Sequence, residues 1–150
     1  MMPLRRDALC APVLRAYLDR LDLDVSVLQE DGRLRLRVDH RHGIDLQPVS
    51  GGQLALLATI ADLTTWPAAQ VDTHLLALLG QAAGLMREHA SGLVIDERRQ
   101  QLQLQQVLPA DTQLGDLEQA LEDFLNVLDF WVSTWEEAAR PAVVGPGGWR

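Results

Sequence analysis

Residues 71–135 decide the fold: VDTHLLALLGQAAGLMREHASGLVIDERRQQLQLQQVLPADTQLGDLEQALEDFLNVLDFWVSTW. Three patterns follow one another in this stretch. Residues 70–89 place Val71, Leu75, Leu76, Leu78, Leu79, Ala82, Ala83, Leu85 and Met86 around more than one stripe of a helix. A helix that apolar must be covered on two sides. Ser91-Gly92 ends it. Leu93-Val94-Ile95 then reads as a strand, residues 96–100 as a turn, and Leu102 and Leu104 alternate with Gln103 and Gln105 in a second strand that Pro109 stops. Asp111 or Thr112 can cap a third helix. There Leu114, Leu117, Leu121, Phe124, Leu125, Leu128, Trp131, Val132 and Trp135 recur at steps of three and four, with acidic residues mostly on the other face.

Upstream, residues 7–21 space Leu9, Val13, Leu14, Leu18 and Leu21 as a helix. Pro12 is tolerated only in its first turn, so the helix begins near Ala11. Val25 and Val27 alternate with polar neighbours, Glu30-Asp31-Gly32 signals a turn, and Leu34, Leu36 and Val38 alternate with Arg33, Arg35 and Arg37. That predicts a β-hairpin with one buried and one arginine-bearing face. Residues 39–53 fit a short edge strand or an irregular excursion, because Pro48 disfavours a central strand. The apolar run 54–61 reads as a buried strand and residues 64–67 as a loop. The expected order is α-β-β-β-α-β-β-α, with a further strand optional in 39–53. Its hairpins make it an α+β domain with a mostly antiparallel sheet and three helices packed on it. One domain over residues 1–140 and a flexible Pro/Gly-rich tail over 141–150 fit the length.

Composition narrows the function. Hydrophobic residues form 47% of the chain and aromatics only 5%, so aliphatic side chains must fill the core. The net charge is −8. Residues 1–50 are neutral, with eight Arg against eight Asp/Glu, while residues 51–150 set five Arg against thirteen Asp/Glu. Such a balance opposes generic nucleic-acid binding. No apolar run approaches the ~20 residues of a membrane span. The single cysteine, Cys10, allows no internal disulfide, which agrees with a reducing, cytoplasmic setting.

Candidate chemistry thins out on inspection. His40 and His42 share a strand face but lack an evident third metal ligand, and His74 and His89 are far along the chain. Cys10 has no base assigned to it. The glycine clusters at 50–52 and 145–148 lack a phosphate-binding Lys. The row Arg33, Arg35, Arg37 reads as the solvent face of the hairpin, or as a contact for acidic residues of a partner or a second subunit. Glu122 and Asp123 read as a solvated face, and Trp131 and Trp135 as core or seam anchors. No acid–base pair, nucleophile set or cofactor loop remains, so no catalytic residue, metal ligand or cofactor is expected.

This order, with LLALLGQAAGLMREHASGLVIDERRQQLQLQQVLP followed by LEQALEDFLNVLDFWVSTW, resembles the type III secretion chaperones of the Tir-chaperone (CesT-like) family over roughly residues 7–138. Leu75–Leu79, Gly92–Asp96, Leu102–Pro109 and Leu117–Trp135 occupy the places of that family's Leu-rich helix, its two strands and its acidic helix ending in aromatics. The resemblance implies a cytoplasmic bacterial homodimer that keeps the N-terminal segment of a secreted effector non-globular and ready for export. The effector would add backbone to a sheet edge and seat apolar side chains in grooves. The groove candidates are Val13, Leu14 and Leu18 of the first helix with Val25, Val27, Leu34, Leu36 and Val38. The dimer seam falls to Leu75, Leu78, Leu79, Ala82 and Leu85, with Leu102 and Leu104 nearby. The alternative is an α+β adaptor or regulatory protein-binding domain outside secretion.

Overall fold

A computed structural model of the chain describes residues 11–38, 42–85 and 91–139. Cys10, Asp39, His40, Arg41 and His89 lie outside them, as do the tail and the domain boundary expected near residue 140. The elements are α1 (Pro12–Arg20), β1 (Leu34–Val38), β2 (His42–Pro48), β3 (Leu54–Asp62), α2 (Ala68–Leu85), β4 (Gly92–Asp96), β5 (Gln101–Leu108) and α3 (Leu114–Ala139). The five strands form one antiparallel sheet in the order β1-β2-β3-β5-β4. This is the expected α+β class with three helices.

The period of two decides which face is buried. Leu34 on β1, Ile44 and Leu46 on β2, Leu54 and Leu56 on β3, and Leu102, Leu104 and Leu108 on β5 point to one face. They join Leu14 and Leu18 of α1 and Leu117, Phe124, Leu128, Trp131 and Trp135 of α3 in a single buried cluster. Phe124, Leu14, Ile44, Leu46, Leu54, Leu56, Leu102, Leu104 and Leu117 have no accessible surface left. The register shifts between Thr59 and Ala61. That bulge turns both Ile60 and Ala61 inward. It leaves Asp62 outside, where its carboxylate accepts the Thr64 N–H at 3.0 Å and the Thr64 hydroxyl at 2.6 Å. These bonds hold the Asp62 carboxyl below its ordinary pKa.

Three expectations change. Val25–Val27 is a single 3-10 turn, not a strand, because Asp24 accepts the Ser26 N–H at its start. The Asp31-Gly32 turn is real: Gly32 has φ 82°, and its N–H reaches the Gln29 carbonyl at 2.8 Å. It leads into β1 without closing a hairpin. The first hairpin is β1–β2, and β2 has a neighbour on both sides. Pro48 is tolerated because it is the last residue of β2 and lies beyond the end of β1, where that side has no ladder to lose. Finally, α3 starts at Leu114 and not at a cap on Asp111 or Thr112; the Asp116 carboxylate reaches back to the Gln113 N–H at 3.2 Å.

The start of α1 is as expected, with Ala11 before it and Pro12 in the first turn. Its end is a Schellman turn. The Leu23 N–H bonds the Leu18 carbonyl at 2.9 Å, and the Asp22 N–H bonds the Asp19 carbonyl at 3.1 Å. Asp22 sits at φ 58°, a left-handed position that glycine occupies without steric cost. We expect Asp22→Gly to raise stability by about 0.5–1 kcal/mol in urea unfolding. An unchanged or lower midpoint would show that the Asp22 side chain has a use the turn does not reveal.

Candidate functional site

The open parts of the molecule are its two outer strands, three groups of exposed aliphatic residues and the face of the sheet away from the helices. β1 and β4 are the outer strands, each paired on one side only among the described residues. The turns between α1 and β1 expose Leu21, Leu23 and Val27. Beside β4, Leu76 and Leu79 of α2 stand out with Val94 and Ile95, Leu76 at 73% exposure. Val107 and Phe130 are exposed elsewhere.

The structure divides the eight predicted groove residues. Val13, Leu14, Leu18 and Leu34 are buried in the protomer's own core, so they brace a groove from beneath and offer a partner no surface. Val25, Leu36 and Val38 are half-buried against that core, and Val27 is exposed. Leu21 and Leu23 were missed by the sequence reading. Their exposure follows from the Schellman turn, which needs a left-handed residue that Asp22 does not advertise as glycine would.

The predicted seam divides as well. Leu79 is exposed, Leu75 half-buried and Leu78 buried. Ala82 and Leu85 lie in the last turn of α2, outside the residues whose side chains are described. Leu102 and Leu104 are corrected: both have no exposed surface, because they face α3 across the sheet rather than outward. On β4 the exposed aliphatic residues are Val94 and Ile95. A Cβ at Gly80 would meet nothing within 4 Å among the described residues.

Polar groups fix the frame around these surfaces. On the helix-free face, Asp45 of β2 accepts from Arg35 Nε at 2.8 Å, Arg35 Nη2 at 3.2 Å and Arg33 Nη1 at 3.2 Å. Arg33 also donates to Asp31 at 3.0 Å, and its Nε is buried without a partner. The paired Asp45 carboxylate raises the pKa of the Arg35 guanidinium. At the other end of the hairpin, His42 Nε2 lies 3.2 Å from Asp129 Oδ1 of α3. Burial, and then the charge of Glu118, push the Tyr17 phenol above its ordinary pKa, so it stays neutral between α1 and α3. Trp131 and Trp135 are core residues. Trp135 packs edge-on against Trp66 and His74 with ring centroids 6.1 and 6.0 Å away. The described residues hold no group of three potential metal ligands, and no helix among them is long and apolar enough to cross a membrane.

The architecture is an α+β domain whose outer strands are each paired on one side only among the described residues. Residues 13–132 match the family model of the Tir chaperone protein (CesT) family, and the chain belongs to that family. No curated protein sequence matches it significantly. Among solved structures, it is similar in fold to the ExsC-ExsE complex, at 21% identity and TM-score 0.60, over 88% of this chain and 96% of that one. It is likewise similar to the HopA1-SchA chaperone-effector complex, at 17% identity and TM-score 0.62, over 81% and 91%. A third is the Yersinia pestis type III secretion chaperone SycH in complex with a stable fragment of YscM2, at 15% identity and TM-score 0.56, over 81% and 98%.

The Arg33–Asp45 pair, each side chain 17% exposed, ties the approach to β1 onto β2. Asp45→Ala should cost about 1–3 kcal/mol, because it leaves a half-buried guanidinium short of a partner. Chemical denaturation measures the loss. A stability within error of the native chain would mean that Asp31 alone satisfies Arg33.

Proposed function

We propose that this chain is a cytoplasmic chaperone of a type III secretion system in a bacterium. It binds the N-terminal chaperone-binding segment of one or more effectors and keeps it non-globular and competent for export. Membership of the CesT family carries this reading, and the edge of β1, unpaired among the described residues, with Leu36 and Val38 on that strand and Leu21, Leu23 and Val27 exposed in the turns that lead to it, gives it a physical route. An extended segment can bond the β1 backbone and set alternate apolar side chains against those residues. Such binding requires neither nucleotide nor metal, and the chain acts without catalysis.

The second edge serves a homodimer. Leu76, Leu79 and Ile95 are exposed where α2 borders β4, with Val94 exposed on the other face of that strand, and covering this edge twice over in a two-fold pair removes it from water. Of the similar structures, one is described as a chaperone-effector complex and another as a secretion chaperone bound to a protein fragment.

Affinity capture from the native bacterium, with mass spectrometry and light scattering of the eluate, tests the reading. Recovery of a secreted protein through its N-terminal segment, on a dimer of this chain, is expected. Val27→Asp should weaken that capture roughly tenfold or more, since it places a charge in the apolar strip. Leu79→Asp should give monomer or aggregate. A native chain that is monomeric and recovers no secreted protein overturns the proposal.

A further inference from the structure

The helix-free face of the sheet holds a basin of about 340 Å³ that the β1-edge route does not use. Arg33, Arg35, Arg37 and Arg99 line it, with Gln101 and Gln103. They come together because Arg35 and Arg37 of β1 and Arg33 just before it share one face, while the tight turn between β4 and β5 brings Arg99 to the same face from the far side. Gly43 stands in the row opposite Arg37 and supplies the depression by having no side chain. Four guanidinium groups thus meet one lining carboxylate, Asp45, in a chain whose net charge is −8.

The four arginines are not equivalent. Arg33 is held between Asp31 and Asp45, and Arg35 is clamped by Asp45. Arg99 lies 3.9 Å from Asp96, a loose pair with its side chain 60% exposed. Arg37 is exposed and makes no ion pair with another described residue. Arg37 and Arg99 therefore keep donors to give, and Asp45 pre-orients Arg35 beside them. The glutamines complete the pattern. Gln103 Nε2 donates to Gln101 Oε1 at 3.3 Å, and the Thr59 hydroxyl donates to the same oxygen at 3.4 Å. This leaves the Gln103 carbonyl as an acceptor and the Gln101 amide as a donor, the complement of one peptide group.

We propose that this basin docks an acidic peptide segment of a partner protein, with its carboxylates on Arg37 and Arg99 and a backbone amide on Gln101 and Gln103. Planar guanidinium groups suit carboxylates through paired hydrogen bonds. A polynucleotide fits less well: among the described residues no aromatic side chain lines the basin for bases to stack on. A long polyanion would also meet the acidic remainder of the chain, whereas a short peptide feels chiefly the field within ~8–10 Å.

The test is fluorescence anisotropy with a fluorescein-labelled Asp/Glu-rich peptide, against a Ser/Gln-rich peptide and an RNA oligonucleotide of equal charge. The intact chain should bind the acidic peptide alone, and more weakly as salt rises. Arg37→Glu with Arg99→Glu should weaken binding roughly a hundredfold, about tenfold per lost charge-assisted contact. Arg15→Glu, the same charge change at an exposed position on α1, should leave it nearly unchanged. Gly43→Leu fills the basin without altering charge and should also weaken binding; a Cβ there meets only the Leu36 carbonyl at 3.9 Å, and the backbone is not left-handed. Independently of any variant, the side-chain amide NMR signals of Gln101 and Gln103 should shift on titrating the intact chain. Absence of salt-sensitive peptide binding, equal weakening by Arg15→Glu, unmoved glutamine signals or tighter binding of the RNA would each overturn the proposal. None of these results bears on effector capture at the β1 edge.

Discussion

The apolar seam between β3 and α3 carries the molecule. β3 is the middle strand of five, and Leu54, Leu56 and Ala58 on it, with Leu102, Leu104 and Leu108 on β5, meet Leu117, Phe124 and Leu128 of the long helix. Aliphatic side chains with so few aromatics fill this space only by close interdigitation, which fixes where α3 can lie. Once α3 is set, α1 packs on it, and α2 packs on it and on β4. The bulge at Ile60 keeps the seam filled to the end of β3, since an uninterrupted strand would have turned one of Ile60 and Ala61 away from it.

Burying one face so completely determines what remains outside. Both outer strands, the aliphatic rims beside them and the arginine-bearing face are what is left when the seam is closed. The two kinds of surface differ in physics. The rims offer non-directional attraction to apolar groups, whereas the Asp45-braced arginines offer directional bonds to anions. Separate partners can therefore use the two without competing for the same chemistry.

Much of this was legible in the sequence where periodicity ran long. The steps of three and four from Leu114 to Trp135, the alternation at Leu102 and Leu104 and the place of Pro12 all read through to the structure. Failure came where local bonds outweigh pattern. Val25 and Val27 offered only two alternating positions, and the Asp24 cap curls them into a turn. β2 alternates His42, Ile44 and Leu46 inward, yet Pro48 argued against it, because only pairing partners reveal that the proline stands past the neighbouring strand. The surface residues were the least legible. Periodicity marks Leu14, Leu34 and Leu102 as apolar, but it cannot say that the protomer's own core consumes them; Leu21 and Leu23 reach the surface through a left-handed aspartate that carries no glycine signal.

Both borders of the sheet end in a row of unpaired peptide groups, and such rows recruit other strands indiscriminately. A protein built to accept one extended chain is thereby exposed to fibre formation with its own kind. Here Arg35 and Arg37 alternate along β1 and Asp96 closes β4. Two copies of β1 brought edge to edge would set guanidinium against guanidinium. The arginines beside this edge thus act as gatekeepers against pairing with a copy of the host.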